Sequence, residues 1–334
     1  VWMDNRAGKQ AETLRMRFGN ELCYEVTGQV SFEACWPAAK VLWVRENEPE
    51  RFAKIRHLLL LEDYIIYLLT GKFVAEGSLL TSTEYWDIRT KQYWGEMLDF
   101  IGIDPAWLPE IRESGELVGT ILPEMAALLG LPEDAQISTG CLDQAAGAIG
   151  VGNIHPGMFS ENIGAALAIC VPTKTLTYDP NRKMPVHYFA LPDTYMMHTF
   201  TTGGMCLRWF RDEFCRDLDG GYAALDRLAE QVPPGAQGVT FLPYLAGCVD
   251  PDNLPEASGG FYGLRLSSTR AACARAILEA AAFQLRDFLN MLSALGCSAP
   301  TVTSLGGGAG SALWMQIKAD ACRRPFHTLS TVQA

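Results

Sequence analysis

The sequence lacks the spacings that build metal sites and disulfide frameworks. Its ten cysteines include no Cys-x-x-Cys pair and its five histidines no His-x-x-x-His pair, so no spacing points to structural zinc. Several cysteines sit singly in apolar runs, such as Cys170 after Ala168-Ile and Cys206 between Met205 and Leu207. That is the pattern of buried free thiols in a reducing compartment, and it implies the cytoplasm. Long apolar runs are missing too. Leu58-Leu-Leu-Leu61 is closed at once by Glu62 and Asp63, which speaks against a membrane span. Cations are in short supply: 27 Lys and Arg stand against 38 Asp and Glu, a formal net charge of -11. Such a surface repels phosphate backbones, so nucleic acid is not expected as a partner. The opening Val1-Trp-Met-Asp4-Asn-Arg6 has no signal-peptide pattern and no initiator methionine, and Leu329-Ser-Thr-Val-Gln-Ala334 has no closing element. The expectation is that both ends are cut.

What is present is a globular composition. Apolar residues make up 49% of 334, enough for a sizeable core, and the length favours two domains. Periodicity predicts helices over 6–18, over 37–47 with Ala38, Val41, Leu42 and Val44 on its apolar face, and over 55–69, where Gly71 stops the chain. Residues 72–90 are rich in Ser, Thr and Gly and read as loop or short strands. Short helices are expected over 94–101 and 123–129. A strand over 135–139 leads to a turn at Asp143 and a small-residue helix over 144–149. The Gly/Pro-rich stretch 150–157 reads as a boundary between domains 1–150 and 151–334. Beyond it, strands flank a tight turn at Gly164, and Gly203-Gly204 opens a helix through Phe214. A helix over 219–232, a strand over 238–242, a long Ala-rich helix over 268–295, a strand over 302–305 and a helix over 311–321 follow. The fold class is α/β.

Two segments carry chemistry. In Gly140-Cys-Leu-Asp143-Gln144, one carboxylate stands among small residues. A carboxylate in reach of an alcohol can take its proton as the alcohol attacks a γ-phosphate. The same aspartate stands where a cap for the 144–149 helix belongs, and both roles remain open. Leu305-Gly-Gly-Gly-Ala-Gly-Ser311 follows a strand and opens a helix. Glycines there let a base or phosphate lie against the main chain, beside free helix amides. The segment spells neither Gly-x-Gly-x-x-Gly nor a P-loop, and a plain tight turn reads equally well. Gly203-Gly204, ahead of Leu207-Arg-Trp-Phe-Arg211, is a similar turn, in which Trp209 reads as core and Arg208 and Arg211 as solvated. Asp4 and Arg6 suit sugar hydroxyls, one accepting and one donating, or form a surface ion pair. A lone base with a separate nucleotide seat points to phosphoryl transfer from ATP to a small hydroxylated molecule. The acidic surface does not prevent this, because local amides and a metal dominate at a pocket.

In order and spacing, these segments resemble the FGGY family of carbohydrate kinases over nearly the whole chain. Trp2-x-Asp4-x-Arg6, Pro37-Ala-Ala-Lys40-Val-Leu-Trp43, Leu60-Leu-Glu-Asp63-Tyr with Leu69-Thr-Gly71, and Gly140-x-x-Asp143-Gln144 are similar to family segments. So are Gly259-Gly-Phe-Tyr-Gly263-Leu with Arg275-Ala-Ile-Leu-Glu279, and Gly306-Gly-Gly-Ala309-x-Ser311-x-x-Trp314-x-Gln316. The resemblance implies a two-domain actin/hexokinase-like (ribonuclease H-like) fold with a catalytic cleft between its domains. Residues 1–150 would be the remainder of a sugar-binding domain, and 151–334 an incomplete nucleotide-binding domain. It implies Asp143 as general base, with Asp4, Arg6 and Gln144 beside it on the sugar side. Gly164, Ala165, Gly204 and Arg208 would lie toward the nucleotide phosphates. Gly307, Gly308 and Ala309 would lie under adenosine, with Ala312 nearby. Mg²⁺ would bridge the ATP phosphates, and homodimers are common in the family.

Three departures qualify that reading. The family's Asp-x-Gly-Thr hairpin is absent from the sequence, and domain size implies about 70 to 80 residues missing before Val1 and a comparable stretch after Ala334. Without the hairpin there is no phosphate clamp and no residue to assign to the metal. Gly164-Ala165-Ala166 stands where the family usually has Gly-Thr-Ser or Gly-Thr-Gly. The lost hydroxyl costs on the order of 1–3 kcal/mol in the transition state. Ala272 replaces a usual polar residue and reads as neutral helix variation. Two functions follow: an ATP-dependent kinase for a ketopentose such as xylulose or ribulose, or for a polyol; or a non-catalytic sugar- or nucleotide-binding member, or an inactive fragment of such a kinase.

Overall fold

The computed structural model describes residues 4–248, 254 and 256–329. Trp2 and the stretch 330–334, both named above, lie outside the described residues. The chain forms two compact units, one of 1–146 with 174–196, the other of 147–173 with 197–334.

The first unit is mostly helical. Helix Gly8–Thr27 runs past its predicted end at 18; Gly19 leaves helical geometry at φ 75° and ψ 152°. The chain beyond it turns helical again, because Cys23, Tyr24 and Val26 are buried there. Helix Pro37–Asn47 starts on its proline, whose fixed φ suits a first turn. The apolar helix predicted over 55–69 begins later, spanning Leu61–Thr70. The reason is a side-chain contact: the Asp63 carboxylate accepts the Leu60 N–H at 2.8 Å and holds Leu60 extended. Gly71 ends the helix in the left-handed region at φ 73°. Strand Val74–Glu76 pairs in parallel with Glu110–Arg112, and Leu117–Thr120 pairs with Gln136–Ser138.

Leu14, Phe32, Leu42, Trp86, Ile88, Met97 and Ile101 form the core of this unit, each stabilising it by roughly 1.5–3 kcal/mol. The segment 174–196 joins it through specific bonds. Tyr24 Oη donates to the Met184 carbonyl at 2.7 Å, Val186 N–H to that of Gly28 at 3.0 Å, and Tyr188 Oη to Glu113 at 2.8 Å.

In the second unit, neighbouring strands run in the order Phe326–Thr328, Val302–Leu305, Ser160–Ile163, Ala166–Thr173 and Tyr195–Thr202, the last entering the unit at Met197. Ser160–Ile163 and Ala166–Thr173 form an antiparallel hairpin, and Val302–Leu305 lies parallel to both of its neighbours. The first three strands of this unit lie side by side in chain order, and two more are added in parallel, which is the ribonuclease H-like order. Helix Ala312–Cys322 supplies the crossover between the last two strands. Helix Arg270–Ala294 buries Ile277, Leu278, Leu285, Phe288 and Leu292. Among the described residues, no helix is long and apolar enough to cross a membrane, and the ten cysteines form no disulfide.

Candidate functional site

Strand Gln136–Ser138 delivers the chain to the 140–143 turn, and Asp143 is the first residue of helix Asp143–Gly150. Its side chain is exposed and accepts the N–H of half-buried Gln144 at 2.6 Å. One carboxylate thus bonds a first-turn amide and stays open to solvent.

The turn is held from beneath by residues that sequence reasoning missed. Gly140 N–H donates to Glu62 Oε1 at 2.8 Å. Leu142 N–H donates to Ser78 Oγ at 2.9 Å, and Ser78 donates in turn to Glu76 Oε1 at 2.9 Å. Glu76 is fully buried. It also accepts from Ser78 N–H at 2.7 Å, Leu79 N–H at 2.7 Å and Ser114 Oγ at 2.6 Å. Burial raises the Glu62 carboxyl above its ordinary range, and the Gly140 amide opposes that shift. The available signal was an acid set directly after apolar Val74-Ala75, where a buried carboxylate must find donors.

Asp4 and Arg6 are joined to each other. Arg6 Nε and Nη2 meet the two Asp4 oxygens at 3.0 and 2.7 Å, and the guanidinium lies 4.9 Å over the Trp43 ring. Arg6 holds the Asp4 carboxyl well below the usual range. The two thus form an ion pair at the surface, and such an exposed contact contributes little to stability.

On the nucleotide side, Gly164 and Ala165 form the exposed tip of the hairpin. The N–H groups of Gly203, Gly204 and Met205 donate to the carbonyls of Ala165, Gly164 and Ala165 at 3.1, 2.9 and 3.0 Å. A Cβ on Gly203 would lie 2.5 Å from the Ala166 carbonyl carbon, and one on Gly204 2.4 Å from the Gly164 oxygen. Glycine is required at both positions because main chain touches main chain. The Gly204 amide thus holds the hairpin tip. Arg208 is exposed one helical turn further on.

The glycines of the later cluster divide by role. Gly306 has φ 85°, and a Cβ there would lie 2.4 Å from Asn162 Oδ1. A Cβ on Gly308 would lie 2.9 Å from the side chains of Ile163 and Trp314, whereas one on exposed Gly307 meets nothing within 4 Å. Ser311 caps the following helix, accepting Trp314 N–H at 3.1 Å. A depression of about 430 Å³ is lined by residues that include Ala309, Ala312, Met315, Gln316 and Phe326. Ala309 and Ala312 thus border one recess, and Gly307 and Gly308 are not among its lining residues. No group of three or more His, Cys, Asp or Glu among the described residues is placed to hold a metal ion.

The strand order of the second unit, with the aspartate-led helix and the glycine turns, defines an actin/hexokinase-like α/β protein. The model of the FGGY family of carbohydrate kinases, N-terminal domain, matches residues 1–150, and that of its C-terminal domain matches 173–334. The chain belongs to this family. It is 32% identical over 327 residues to a xylulose kinase of Bacillus subtilis, covering 96% of this chain and 64% of that protein. It is 30% identical over 323 residues to a xylulose kinase of Escherichia coli, covering 96% and 65%. The crystal structure of xylulose kinase from Rhodospirillum rubrum superposes with a TM-score of 0.89 at 31% identity, covering 98% of this chain and 66% of that one. The chain thus spans about two thirds of the length of the curated relatives it matches.

Proposed function

We propose that the protein transfers the γ-phosphate of MgATP to a hydroxyl of a small sugar, with Asp143 as the general base. Residues 1–150 serve the sugar and 151–334 the nucleotide. The observation that carries this reading is the exposed Asp143 carboxylate on a turn anchored at two points, in a chain of a carbohydrate-kinase family. The sugar hydroxyl gives its proton to Asp143 as its oxygen attacks the γ-phosphorus, and the bond from that phosphorus to the β–γ bridging oxygen breaks to release ADP. Gly164 and Ala165 present the hairpin tip to the phosphates, with Gly204 behind them and Arg208 near. Gly307, Gly308, Ala309 and Ala312 take the adenosine, which suits the open face of Gly307 and the recess beside Ala309. Mg²⁺ accompanies the ATP phosphates and neutralises charge there; no residue of this chain is assigned to it. A ketopentose is the first acceptor to try, because the relatives named above are xylulose kinases. Asp4, Arg6 and Gln144 remain the sugar-side residues. The free thiols suit the cytoplasm, and a homodimer is the assembly to test.

A second reading, a binding-only member, is favoured by Ala165-Ala166, which offers no hydroxyl to a phosphate. One experiment decides between them. ADP release by the full-length gene product is measured with MgATP and xylulose, ribulose, pentitols or glycerol, with Asp143→Asn as control. Acceptor-dependent release that falls by several orders of magnitude in the control supports the kinase. Binding of ATP and sugar without release supports the second reading, and near-native turnover in Asp143→Asn removes the aspartate from the base role.

A further inference from the structure

We propose that Ser78, oriented by buried Glu76, is a positioning residue for Asp143, with Glu62 as a second anchor on the same turn. The inference rests on the base role proposed for Asp143. Its logic is in the hydrogens. A serine hydroxyl has one proton to give and lone pairs to receive with. Glu76 Oε1 takes that proton at 2.9 Å, which leaves the Ser78 oxygen facing the Leu142 N–H as an acceptor at 2.9 Å. Glu76 cannot swing away, since two main-chain amides and Ser114 also hold it in a fully buried position.

The contact falls one residue before Asp143. Two residues earlier, Glu62 holds the Gly140 N–H, and a Cβ on Gly140 would stand 3.1 Å from Glu62 Oε2. The turn is therefore pinned on both sides of Cys141, through groups that lie 64 and 78 residues away in sequence. Among the described residues, the Asp143 carboxylate bonds its neighbour's amide and no other group, so the main chain beneath it sets where it points. A base displaced by an ångström loses on the order of a hundredfold in rate.

The test uses the full-length gene product with MgATP and whichever sugar of the panel above supports the fastest ADP release. Ser78→Ala is expected to lower kcat about ten- to a hundredfold, leave KM for both substrates within about twofold, and keep the melting temperature near that of the parent. In an Asp143→Asn background, Ser78→Ala is expected to leave the residual turnover unchanged, because no base remains to be positioned. A merely structural role would lower turnover by the same factor in both backgrounds, and that result overturns the proposal. So does a folded Ser78→Ala enzyme with parental kcat. If Ser78→Ala does not fold, Glu62→Ala puts the same question to the Gly140 anchor, with the same expected and overturning results. Parental turnover in Asp143→Asn alone is a separate result: it ends the base reading, and this proposal with it.

Discussion

Lys318 and Glu161 form an ion pair in which both side chains are fully buried, joining helix Ala312–Cys322 to strand Ser160–Ile163 within the second unit. Glu161 Oε1 also accepts the Ser304 hydroxyl at 2.6 Å. Burial pulls the lysine below its ordinary pKa, and the carboxylate opposes that shift. A buried pair adds little net stability, yet removing one member strands the other charge. Lys318→Met alone is expected to destabilise the protein by about 3–5 kcal/mol. Adding Glu161→Leu should recover most of that loss. Urea unfolding of the two variants checks this, and a single variant as stable as the parent would mean that the charge is not stranded.

Asp63 predicts a pH dependence of the opposite sign to that of an ordinary salt-bridged acid. Its side chain is buried, and burial first, then the neighbouring Glu62 and Glu76, pushes its carboxyl up to about 7. The folded protein therefore keeps this proton up to about pH 7, while the unfolded chain releases it near pH 4. The stabilising contribution is complete below about pH 4 and is lost as pH rises through about 7. Asp63→Asn keeps an oxygen for the Leu60 amide and removes the titration. The fall in stability between pH 5 and 8 should be shallower in this variant than in the parent, by on the order of 2–3 kcal/mol. Parallel stability curves for the two proteins would assign the proton elsewhere.

The same aspartate shows where a sequence can be read and where it cannot. Helix Pro37–Asn47 was legible because its proline start and apolar spacing are local. The start of helix Leu61–Thr70 was not, because apolar residues run on upstream of it and a capping carboxylate sets the boundary. The Asp143 turn was legible as a small-residue segment around one acid. Its anchors Glu62, Ser78 and Glu76 were not, because they come from elements whose approach to the turn no local pattern records. The return of 174–196 to the first unit likewise depends on distant partners, Tyr24, Gly28 and Glu113. Gly203 and Gly204 were read as a turn, and only the hairpin lying against them explains why no side chain fits.

Gly307 and Gly308 separate a nucleotide effect from a packing effect in adjacent residues. A valine at 308 presses on Ile163 and Trp314, which lie 2.9 Å from its Cβ position. Overpacking of this kind costs about 1–3 kcal/mol, so Gly308→Val should lose stability whether or not ATP is present. A Cβ at 307 meets nothing within 4 Å, so Gly307→Val should unfold within about 0.5 kcal/mol of the parent. If adenosine lies against this turn, the same valine blocks its approach and weakens ATP at least about tenfold, or 1.4 kcal/mol, with sugar affinity unchanged. Calorimetric titration with ATP beside thermal unfolding reads both quantities. Unaltered ATP affinity in a folded Gly307→Val protein would move the adenosine away from the glycine turn and toward the recess beside Ala309 and Ala312.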